Sequence, residues 1–279
     1  MGDLRFISDH IQSLRKSEVK VAEFVQKNAQ AVVHSSISEL AENAGVSEPT
    51  VLRFSRRLGF RGFQDFKIYL AQATIPPVRN IHESVDGTEE MPELVRKVFD
   101  SNVAAIRSTA STLDFRAVAK VTELMTKSTR IVFYGLGGSA VVAMDAYHKF
   151  FRIGIPCQWF HDTHMAIMAA SMLDERGIFV AISHSGSTLD VVRAIRIANE
   201  TGAATVAIVS HSSSPVSSVA QHRLCVASSE TQVKFEPMSS RIAQLSVVDT
   251  LAVGVSLSRS DETVRNLEKA RRALANSRY

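Results

Sequence analysis

Two patterns of apolar residues divide the chain. Up to about residue 77, apolar positions recur at the three- and four-residue spacing of amphipathic helices. From Thr129 onwards, short apolar runs alternate with helical stretches; the runs are RIVFYG, IPCQWF, GIFVAIS, TVAIVS and RLCVA. This alternation is typical of a parallel sheet covered by helices on both faces. The fold class is therefore predicted as α/β, an all-α N-terminal domain followed by a doubly wound parallel-sheet domain.

A break in the helical pattern separates the two regions. Residues 74–92, TIPPVRNIHESVDGTEEMP, combine adjacent prolines, an Asp-Gly pair and acidic residues. Such a composition is typical of a linker. A helix from Pro92 to about Ser108 is expected to follow it, and Asp114 is expected to cap the next helix. We predict a helical domain at 1–77, a linker and connecting helix at 78–108, and the sheet domain at 109–279.

The stretch SSISELAENAGVSEPTVLRFSRRLGF predicts two short helices joined by a tight turn. Ser36 and Glu39 have the spacing of a capping box, in which each side chain accepts a hydrogen bond from the other's backbone N–H. Gly45 can adopt the left-handed conformation that ends a helix. Ser47 is expected to cap the second helix, with Pro49 in its first turn. Two short helices around a glycine-containing turn describe a helix-turn-helix.

The second helix of this motif has a basic side and an apolar side. At 100° per residue, the apolar side comprises Val51, Phe54, Ser55 and Leu58. The opposite side is rich in arginine, and no acidic residue occurs between Pro49 and Gln64. Arginines on a recognition helix bind bases in the major groove, while neighbouring hydroxyls hold phosphates. The alternative is a solvated arginine face on an ordinary helix bundle. The candidate DNA-binding residues are Ser47, Thr50, Arg53, Arg56, Arg57 and Arg61.

Two strand ends carry glycines and hydroxyl side chains. YGLGGSA occupies 134–140 at the end of one apolar run, and SHSGST occupies 183–188 at the end of another. In open α/β sheets, ligands bind at the carboxyl ends of strands, where helix N-termini expose backbone N–H groups. Glycine allows close approach of the backbone, and hydroxyls donate hydrogen bonds without adding charge. The two loops together predict a phosphate cradle, although a tight βα turn explains either loop alone.

A dinucleotide site, which would make the protein an NAD(H)-sensing regulator, is one alternative for these loops. Gly135, Gly137 and Ala140 satisfy the pattern G-x-G-x-x-A, and Asp162 follows the next apolar run, where a ribose-binding acid could lie. That scheme leaves the hydroxyls of SHSGST without a role. The phosphate-ester interpretation uses both loops.

A phosphosugar isomerase or lyase site is the other alternative. A general base, usually a carboxylate, would have to move a proton between sugar carbons, and the candidates are Glu236, His161, His164 and His184. None has a spacing that requires catalysis, and Glu236 is also explained as a helix cap or an effector contact. The H-x-x-H spacing of HDTH is too common to predict zinc. Arg241 is a candidate anion partner or a solvent-exposed residue.

Composition narrows the class of protein. Hydrophobic residues make up 45% and charged residues 22% of the 279 residues, as in ordinary globular proteins. No apolar stretch reaches the roughly 18 residues of a membrane span, and the N-terminus lacks a secretory pattern, so a cytoplasmic location is expected. The net charge of +4 and pI of about 9.2 fit a nucleic-acid partner without requiring one. Cys157 and Cys225 lie in apolar runs, which favours buried reduced thiols.

The order of these motifs resembles the RpiR family of bacterial transcriptional regulators. SHSGST after an apolar strand, with GLGGS one βαβ unit earlier, is similar to the sugar isomerase (SIS) domain. SISELAENAGVSEPTVLRFSRRLGFRGFQDFK is similar to the family's N-terminal helix-turn-helix. HKFFRIG and PMSSRIAQLSVVD also resemble the family, and FYGLGGSA with NSRY resembles its HexR-like branch. The resemblance implies a regulator rather than an enzyme, with 2-keto-3-deoxy-6-phosphogluconate as the effector in that branch.

The resemblance also implies roles for individual residues. Ser139, Ser183, Ser185 and Thr188 would hold the phosphate, and His184 and Ser187 would line the same loop. The implied partners are promoter DNA, a phosphosugar and a second copy of the chain, in a dimer or tetramer that acts as a repressor of sugar catabolism genes. No cofactor, metal or membrane partner is expected. The candidate effector-binding residues are Gly137, Gly138, Ser139, Ser183, His184, Ser185, Ser187, Thr188 and Glu236.

Overall fold

The computed structural model describes residues 4–74, 85, 87–227 and 238–275. The chain forms two compact units. The first comprises the residues up to Ala104 together with Ser213–Pro215, and the second contains most of the chain from Ala105 onwards. None of the helices in the described ranges is long and apolar enough to cross a membrane. Most of the predicted linker and Glu236 lie outside the described residues, and the predicted domain boundaries stay a prediction.

The first unit is built from helices alone in its described part. They are α1 (Arg5–His10), α2 (Lys16–His34), α3 (Ile37–Asn43), α4 (Glu48–Arg57), α5 (Phe63–Thr74) and the part of α6 (Met91–Thr112) up to Ala104, with a 3₁₀ turn at Ile11–Ser13. Apolar residues of α2 to α5 form one core. Phe54 of α4 and Phe66 of α5 meet edge to face, with ring centroids 5.4 Å apart. Helix α6 extends a turn beyond the end expected near Ser108.

The start and end of α3 follow the local sequence. Ser36 Oγ accepts a hydrogen bond from Glu39 N at 3.1 Å, and a Glu39 carboxylate oxygen accepts one from Ser36 N at 2.7 Å. This confirms the capping box. At the other end, Gly45 has a φ of +64°, and Val46 N donates to Ala41 O at 2.9 Å. The glycine-containing turn is therefore confirmed as well.

The second unit contains a five-stranded parallel sheet. Its strands are β1 (Arg130–Gly135), β2 (Cys157–Phe160), β3 (Gly177–Ser183), β4 (Ala204–Val209) and β5 (His222–Cys225), in the order β2-β1-β3-β4-β5. Its helices are α7 (Phe115–Lys127), α8 (Gly138–Arg152), α9 (Thr163–Ser171), α10 (Leu189–Glu200), α11 (Pro215–Val219), α12 (Ser239–Ser258) and α13 (Ser260–Leu274). Each of these strands overlaps one of the five predicted apolar runs.

Helices cover both faces of the sheet. Ile131 and Phe133 of β1 pack with residues of α8 and α12 on one face, whereas Val132 and Tyr134 pack with residues of α9 and α10 on the other. Since successive side chains of a strand point to opposite faces, a strand buried on both sides reads as a continuous apolar run. The doubly wound α/β prediction is confirmed. Asp114 caps α7 as expected, because its carboxylate accepts from the backbone N–H groups of Arg116 and Ala117.

Candidate functional site

The loop after β1 brings backbone and hydroxyl groups to the start of α8. A Cβ added at Gly135 would lie 2.5 Å from the carbonyl oxygen of Ser139, so only glycine allows the first turn of α8 to pass this close to β1. Gly137 precedes the helix with a φ of +55°, and Gly138 is its first residue. Ser139 is 8% exposed. The sequence therefore places a nearly buried hydroxyl at a helix N-terminus.

The loop after β3 is held by its own hydroxyls. Ser183 Oγ accepts a hydrogen bond from Gly186 N at 3.1 Å, and Ser185 Oγ accepts one from Ser187 N at 3.3 Å. Because these two oxygens accept within the loop, their protons can be donated to a ligand. Ser187 Oγ instead donates to the carbonyl oxygen of Ser185 at 3.2 Å. Ser187 thus supports the loop, and the candidate donors to a ligand are Ser183 and Ser185.

Thr188 lies at the N-cap of α10. Its backbone is extended there, but its side chain accepts no hydrogen bond from the first turn of the helix. A threonine at this position usually satisfies an N–H of that turn. The half-buried hydroxyl and the N-terminal N–H groups of α10 are therefore placed where an anion would be stabilised.

The sheet register brings the two loops together. β1 and β3 are hydrogen-bonded neighbours, and Gly135 is paired with Ile182. The loops that follow these strands therefore leave the same carboxyl edge side by side. Both continue into helices, α8 and α10, whose N-termini carry partial positive charge. The candidate effector site is this edge, with Ser139, Ser183, Ser185 and Thr188 as uncharged donors.

His184 contacts groups that the sequence analysis did not select. Its Nδ1 lies 3.0 Å from Ser210 Oγ and 3.0 Å from Ser240 Oγ. Ser210 follows β4, and Ser240 lies in the first turn of α12. The ring therefore joins the loop after β3 to two other elements of the sheet unit. The only sequence signal was the position of Ser210 at a strand end; nothing local indicated Ser240.

A second polar chain lies beside α10. Tyr134 Oη is 3.1 Å from Thr163 Oγ1, and Thr163 donates to Asp190 in the first turn of α10 at 3.3 Å. Burial raises the pKa of Tyr134, although its hydrogen bond to Thr163 acts in the opposite direction. The tyrosine hydroxyl is thus a neutral group that links β1, α9 and α10.

Several residues of the rival interpretations have structural roles. Asp162, the candidate ribose-binding acid, caps α9 because its Oδ1 accepts from Met165 N at 2.9 Å. His161 packs against Trp159 with ring centroids 5.3 Å apart. Among the described residues, no group of three or more His, Cys, Asp or Glu side chains could hold a metal.

Burial raises the pKa of Cys157 to about 12, which disfavours a reactive thiolate.

Helix α4 has the two sides that the sequence predicted. Val51, Phe54, Ser55 and Leu58 are buried, whereas Arg53, Arg56 and Arg57 are exposed. Ser47 lies at the N-cap as expected, but its side chain makes no cap hydrogen bond and instead lies 3.1 Å from Thr50 Oγ1. Thr50 is 4% exposed and accepts from Arg53 Nη2 at 2.9 Å. Thr50 therefore supports Arg53 and is not itself a surface residue.

The four candidate arginines have different surroundings. Arg57 Nε lies 3.2 Å from a carboxylate oxygen of Glu18, and Arg53 Nε lies 3.9 Å from the other oxygen. Arg61 pairs with Asp65 at 3.3 Å. Within the described ranges, Arg56 has no ion pair. The sequence pattern indicated one basic face. It gave no sign of Glu18, because Glu18 is distant in the chain from Arg53 and Arg57.

Comparison with known proteins identifies the family. Residues 1–76 match the helix-turn-helix domain of the rpiR family, and residues 124–254 match the SIS domain. The chain is 35% identical to the HTH-type transcriptional regulator HexR of Escherichia coli over 279 residues, covering 100% of this chain and 96% of the relative. The chain belongs to the RpiR family of transcriptional regulators.

Two further similarities extend over nearly the whole chain. HexR of Pseudomonas aeruginosa is 35% identical, covering 99% of this chain and 96% of its own length. The solved structure of the Vibrio vulnificus NanR protein complexed with ManNAc-6P is 26% identical with a TM-score of 0.84, covering 98% of this chain and 97% of that one. The predicted order of a helix-turn-helix region and a SIS domain is confirmed. This RpiR-type regulator therefore carries the resemblance to the HexR-like branch along its full length.

Proposed function

We propose that this RpiR-type regulator binds promoter DNA through α4 and is controlled by a phosphosugar bound at the carboxyl edge of its sheet. The observation that carries the proposal is the pair of hydroxyl-bearing loops on neighbouring strands β1 and β3, at the N-termini of α8 and α10. Four uncharged hydroxyls and two helix N-termini suit a phosphate dianion. The phosphate ligands are Ser139, Ser183, Ser185 and Thr188.

The other candidate residues of this edge have supporting roles. Gly137 and Gly138 allow the backbone to approach the anion, and Ser187 supports the loop through its bond to Ser185 O. His184 orients the same loop through Ser210 and Ser240. Glu236 lies outside the described residues and stays a predicted effector contact.

The effector we propose is 2-keto-3-deoxy-6-phosphogluconate, on the basis of the resemblance to the HexR-like branch. ManNAc-6P, which the solved NanR structure contains, is the rival compound. Binding is proposed to favour the arrangement that does not bind DNA, which would make the protein a repressor of sugar catabolism genes. A ligand can shift such an equilibrium only by its difference in affinity for the two arrangements.

On the DNA side, we propose that Arg53, Arg56 and Arg57 bind the duplex. All three lie on the exposed side of α4, the second helix of the helix-turn-helix. Ser47 at the start of α4 and Arg61 after its end are placed to contact phosphates. Thr50 would act through Arg53, since its hydroxyl is buried against that side chain.

A dimer, or a tetramer of two dimers, is the assembly we propose. One face of α6 supports it, because apolar side chains are exposed along that helix; they are Met91, Val95, Phe99, Val103 and Ile106. Their spacing of three and four residues places them on one stripe. Light scattering of the purified protein measures the mass directly, and a monomer at micromolar concentration would contradict the assembly.

The decisive experiment measures DNA affinity and effector affinity on the same full-length protein. The DNA is the duplex that the wild type selects from a randomised library, and the compounds are 2-keto-3-deoxy-6-phosphogluconate, ManNAc-6P and inorganic phosphate. We expect the first compound to weaken DNA binding about tenfold or more, a typical allosteric coupling. Ser139→Ala and Ser183→Ala should each weaken effector binding roughly tenfold to a hundredfold, the range for a hydrogen bond to a charged group.

Ser171→Ala is the matched control. Ser171 is exposed at the end of α9 and donates to Met168 O within its own helix, so its loss should leave both affinities unchanged. Binding of a phosphosugar without any change in DNA affinity would refute the regulatory part of the proposal. Conversion of a phosphosugar by the purified protein would instead establish an enzyme.

A further inference from the structure

A carboxylate is buried directly beneath the arginines of α4. Glu18, in the first turn of α2, is fully buried. Charged side chains are almost never fully buried unless they are paired. Its position is set by the backbone, because one carboxylate oxygen accepts a hydrogen bond from Arg15 N at 2.9 Å. The carboxylate is therefore held by the backbone at the start of α2.

Two arginines of α4 are held over this carboxylate. The oxygen that accepts from Arg15 N also pairs with Arg57 Nε at 3.2 Å. The other oxygen accepts no hydrogen bond within the described residues and lies 3.9 Å from Arg53 Nε. Each arginine has a further anchor: Arg53 donates from Nη2 to Thr50, and Arg57 donates from Nη1 to Ser13 O.

The anchoring leaves donors for DNA on both guanidinium groups. A guanidinium has five N–H donors in a planar, rigid arrangement. The contacts to Glu18, Thr50 and Ser13 involve Nε and one terminal nitrogen of each arginine. The other terminal nitrogen of each arginine takes no part in these contacts. An arginine fixed in this way loses little conformational entropy when it binds a base.

Arg56 provides an internal comparison. It is exposed on the same helix but has no ion pair within the described residues. Its side chain can therefore adjust to bind a nearby DNA phosphate, and such a contact adds affinity without depending on the base sequence. The two kinds of arginine on one helix suggest a division of roles.

We infer that Glu18 is a positioning residue for DNA recognition, which fixes Arg53 and Arg57 for sequence discrimination and weakens the attraction of α4 for DNA of any sequence. The inference rests on the proposed DNA-binding role of α4. The second effect follows from charge, because a carboxylate under the basic face offsets part of its attraction for phosphates. Removing the carboxylate should tighten nonspecific binding and reduce discrimination at the same time.

The experiment uses the full chain carrying Glu18→Gln. Its affinities are measured for the duplex that the wild type selects from a randomised library and for a scrambled duplex of the same composition. We expect binding to the scrambled duplex to tighten about threefold, with a steeper salt dependence. The ratio of selected to scrambled affinity should fall about tenfold, the scale of one specific arginine–base contact.

Glu23→Gln is the control for charge alone. Glu23 is exposed on the same helix α2, and its replacement changes the net charge by the same amount. It should change the two affinities by the same factor and leave their ratio unchanged. A purely electrostatic role for Glu18 would give this pattern too and would overturn the inference.

A double-mutant cycle separates positioning from a loss of folding. If Glu18 acts through Arg57, then Glu18→Gln should reduce discrimination much less when Arg57→Gln is already present. Thermal unfolding identifies any variant that does not fold. The arginine variants then test the inference without changing Glu18: Arg53→Gln and Arg57→Gln should lower the affinity ratio, whereas Arg56→Gln should lower both affinities equally.

The outcomes distinguish this inference from the proposed function. If the wild type selects no sequence and α4 variants do not affect DNA binding, the DNA-binding role itself is wrong. If the wild type discriminates but Glu18→Gln keeps the ratio, or the cycle is additive, only the positioning role is wrong. An equal loss of discrimination in Arg56→Gln would also contradict the division of roles.

Discussion

The two units of the protein bury different kinds of polar side chain. Within the described residues, the two buried residues with charged side chains, Glu18 and Lys67, both belong to the helical unit. In its described part, the sheet unit buries only uncharged polar side chains, such as Ser139, Ser183, Ser240 and Gln244. A protein that binds a polyanion such as DNA needs positively charged side chains on its surface. Buried charged groups can hold those surface side chains in a fixed position. A pocket that must release a small dianion is better made of neutral donors.

The two kinds of group would distinguish the two proposed phosphate ligands. Full charges act over about a Debye length and attract any phosphate chain, with a strong dependence on salt. Hydroxyls and backbone N–H groups act only at hydrogen-bond distance and require a fixed geometry.

Salt should separate the two sites most clearly. Between 50 and 200 mM salt, affinity for DNA should fall about a thousandfold if the dimer contacts six or more phosphates. Affinity for the phosphosugar should change only a few-fold, since its phosphate meets uncharged donors. Parallel titrations of one preparation by fluorescence anisotropy and calorimetry measure both. If the two affinities depended equally on salt concentration, the proposed difference between the sites would be wrong.

A methyl group at Gly135 should damage the sheet unit. The added Cβ would lie 2.5 Å from Ser139 O and 2.7 Å from its carbonyl carbon, so Gly135→Ala should cost about 3 kcal/mol, the upper range for overpacking. It should also displace Ser139 and abolish effector binding. Thermal unfolding and calorimetry measure the two effects.

Gly45→Ala is the matched comparison in the helical unit. A Cβ there meets nothing within 4 Å, and only the φ of +64° is unfavourable, so the expected cost is about 1 kcal/mol. Effector binding should be unaffected. If Gly135→Ala were as mild as Gly45→Ala, the close approach of α8 to β1 would not matter for the site.

Lys67 should make the free energy of unfolding depend on pH, and we expect this effect to be smaller than those of salt and of Gly135→Ala. Burial lowers the pKa of Lys67 well below 10.5, although Glu39 acts in the opposite direction. Between the folded-state pKa and the unfolded value, the unfolded chain binds more protons, so unfolding free energy rises with pH. Below that window, burial of the charged ammonium costs stability.

The measurement compares wild type and Lys67→Met. The Tm of the wild type minus that of the variant should increase as pH rises towards 10. Lys27→Met, at an exposed position of α2, should show no such trend. A flat difference for Lys67→Met would mean that Lys67 Nζ, which donates to Ser35 O at 2.6 Å, titrates normally.

Local sequence predicted the elements that carry both sites. The capping box of Ser36 and Glu39, the turn at Gly45 and the two sides of α4 depend on residues within one or two helical turns. The five strands were visible because strands buried on both faces are continuous apolar runs. The loops of the proposed effector site follow from those strand ends, since ligands bind at the carboxyl edge of a parallel sheet.

Contacts between distant residues could not be predicted in this way. The sequence treated Thr50 as a surface contact, but packing buries its hydroxyl against Arg53. Asp162 had the position of a ribose-binding acid, but the structure uses it to cap α9. Both differences arise because the same side chain can serve a ligand or a neighbouring backbone, and only the folded backbone decides between them.

The order of helices and strands, the arginine side of α4 and the hydroxyls at two strand ends can be read from the amino-acid sequence, because periodicity and capping act between near neighbours. The position of Glu18 beneath Arg53 and Arg57, and the contact of Ser240 with His184, appear only in the folded protein. Those contacts join separate helices, loops and strands. Their geometry is set by how the elements pack, which the local pattern of residues does not specify.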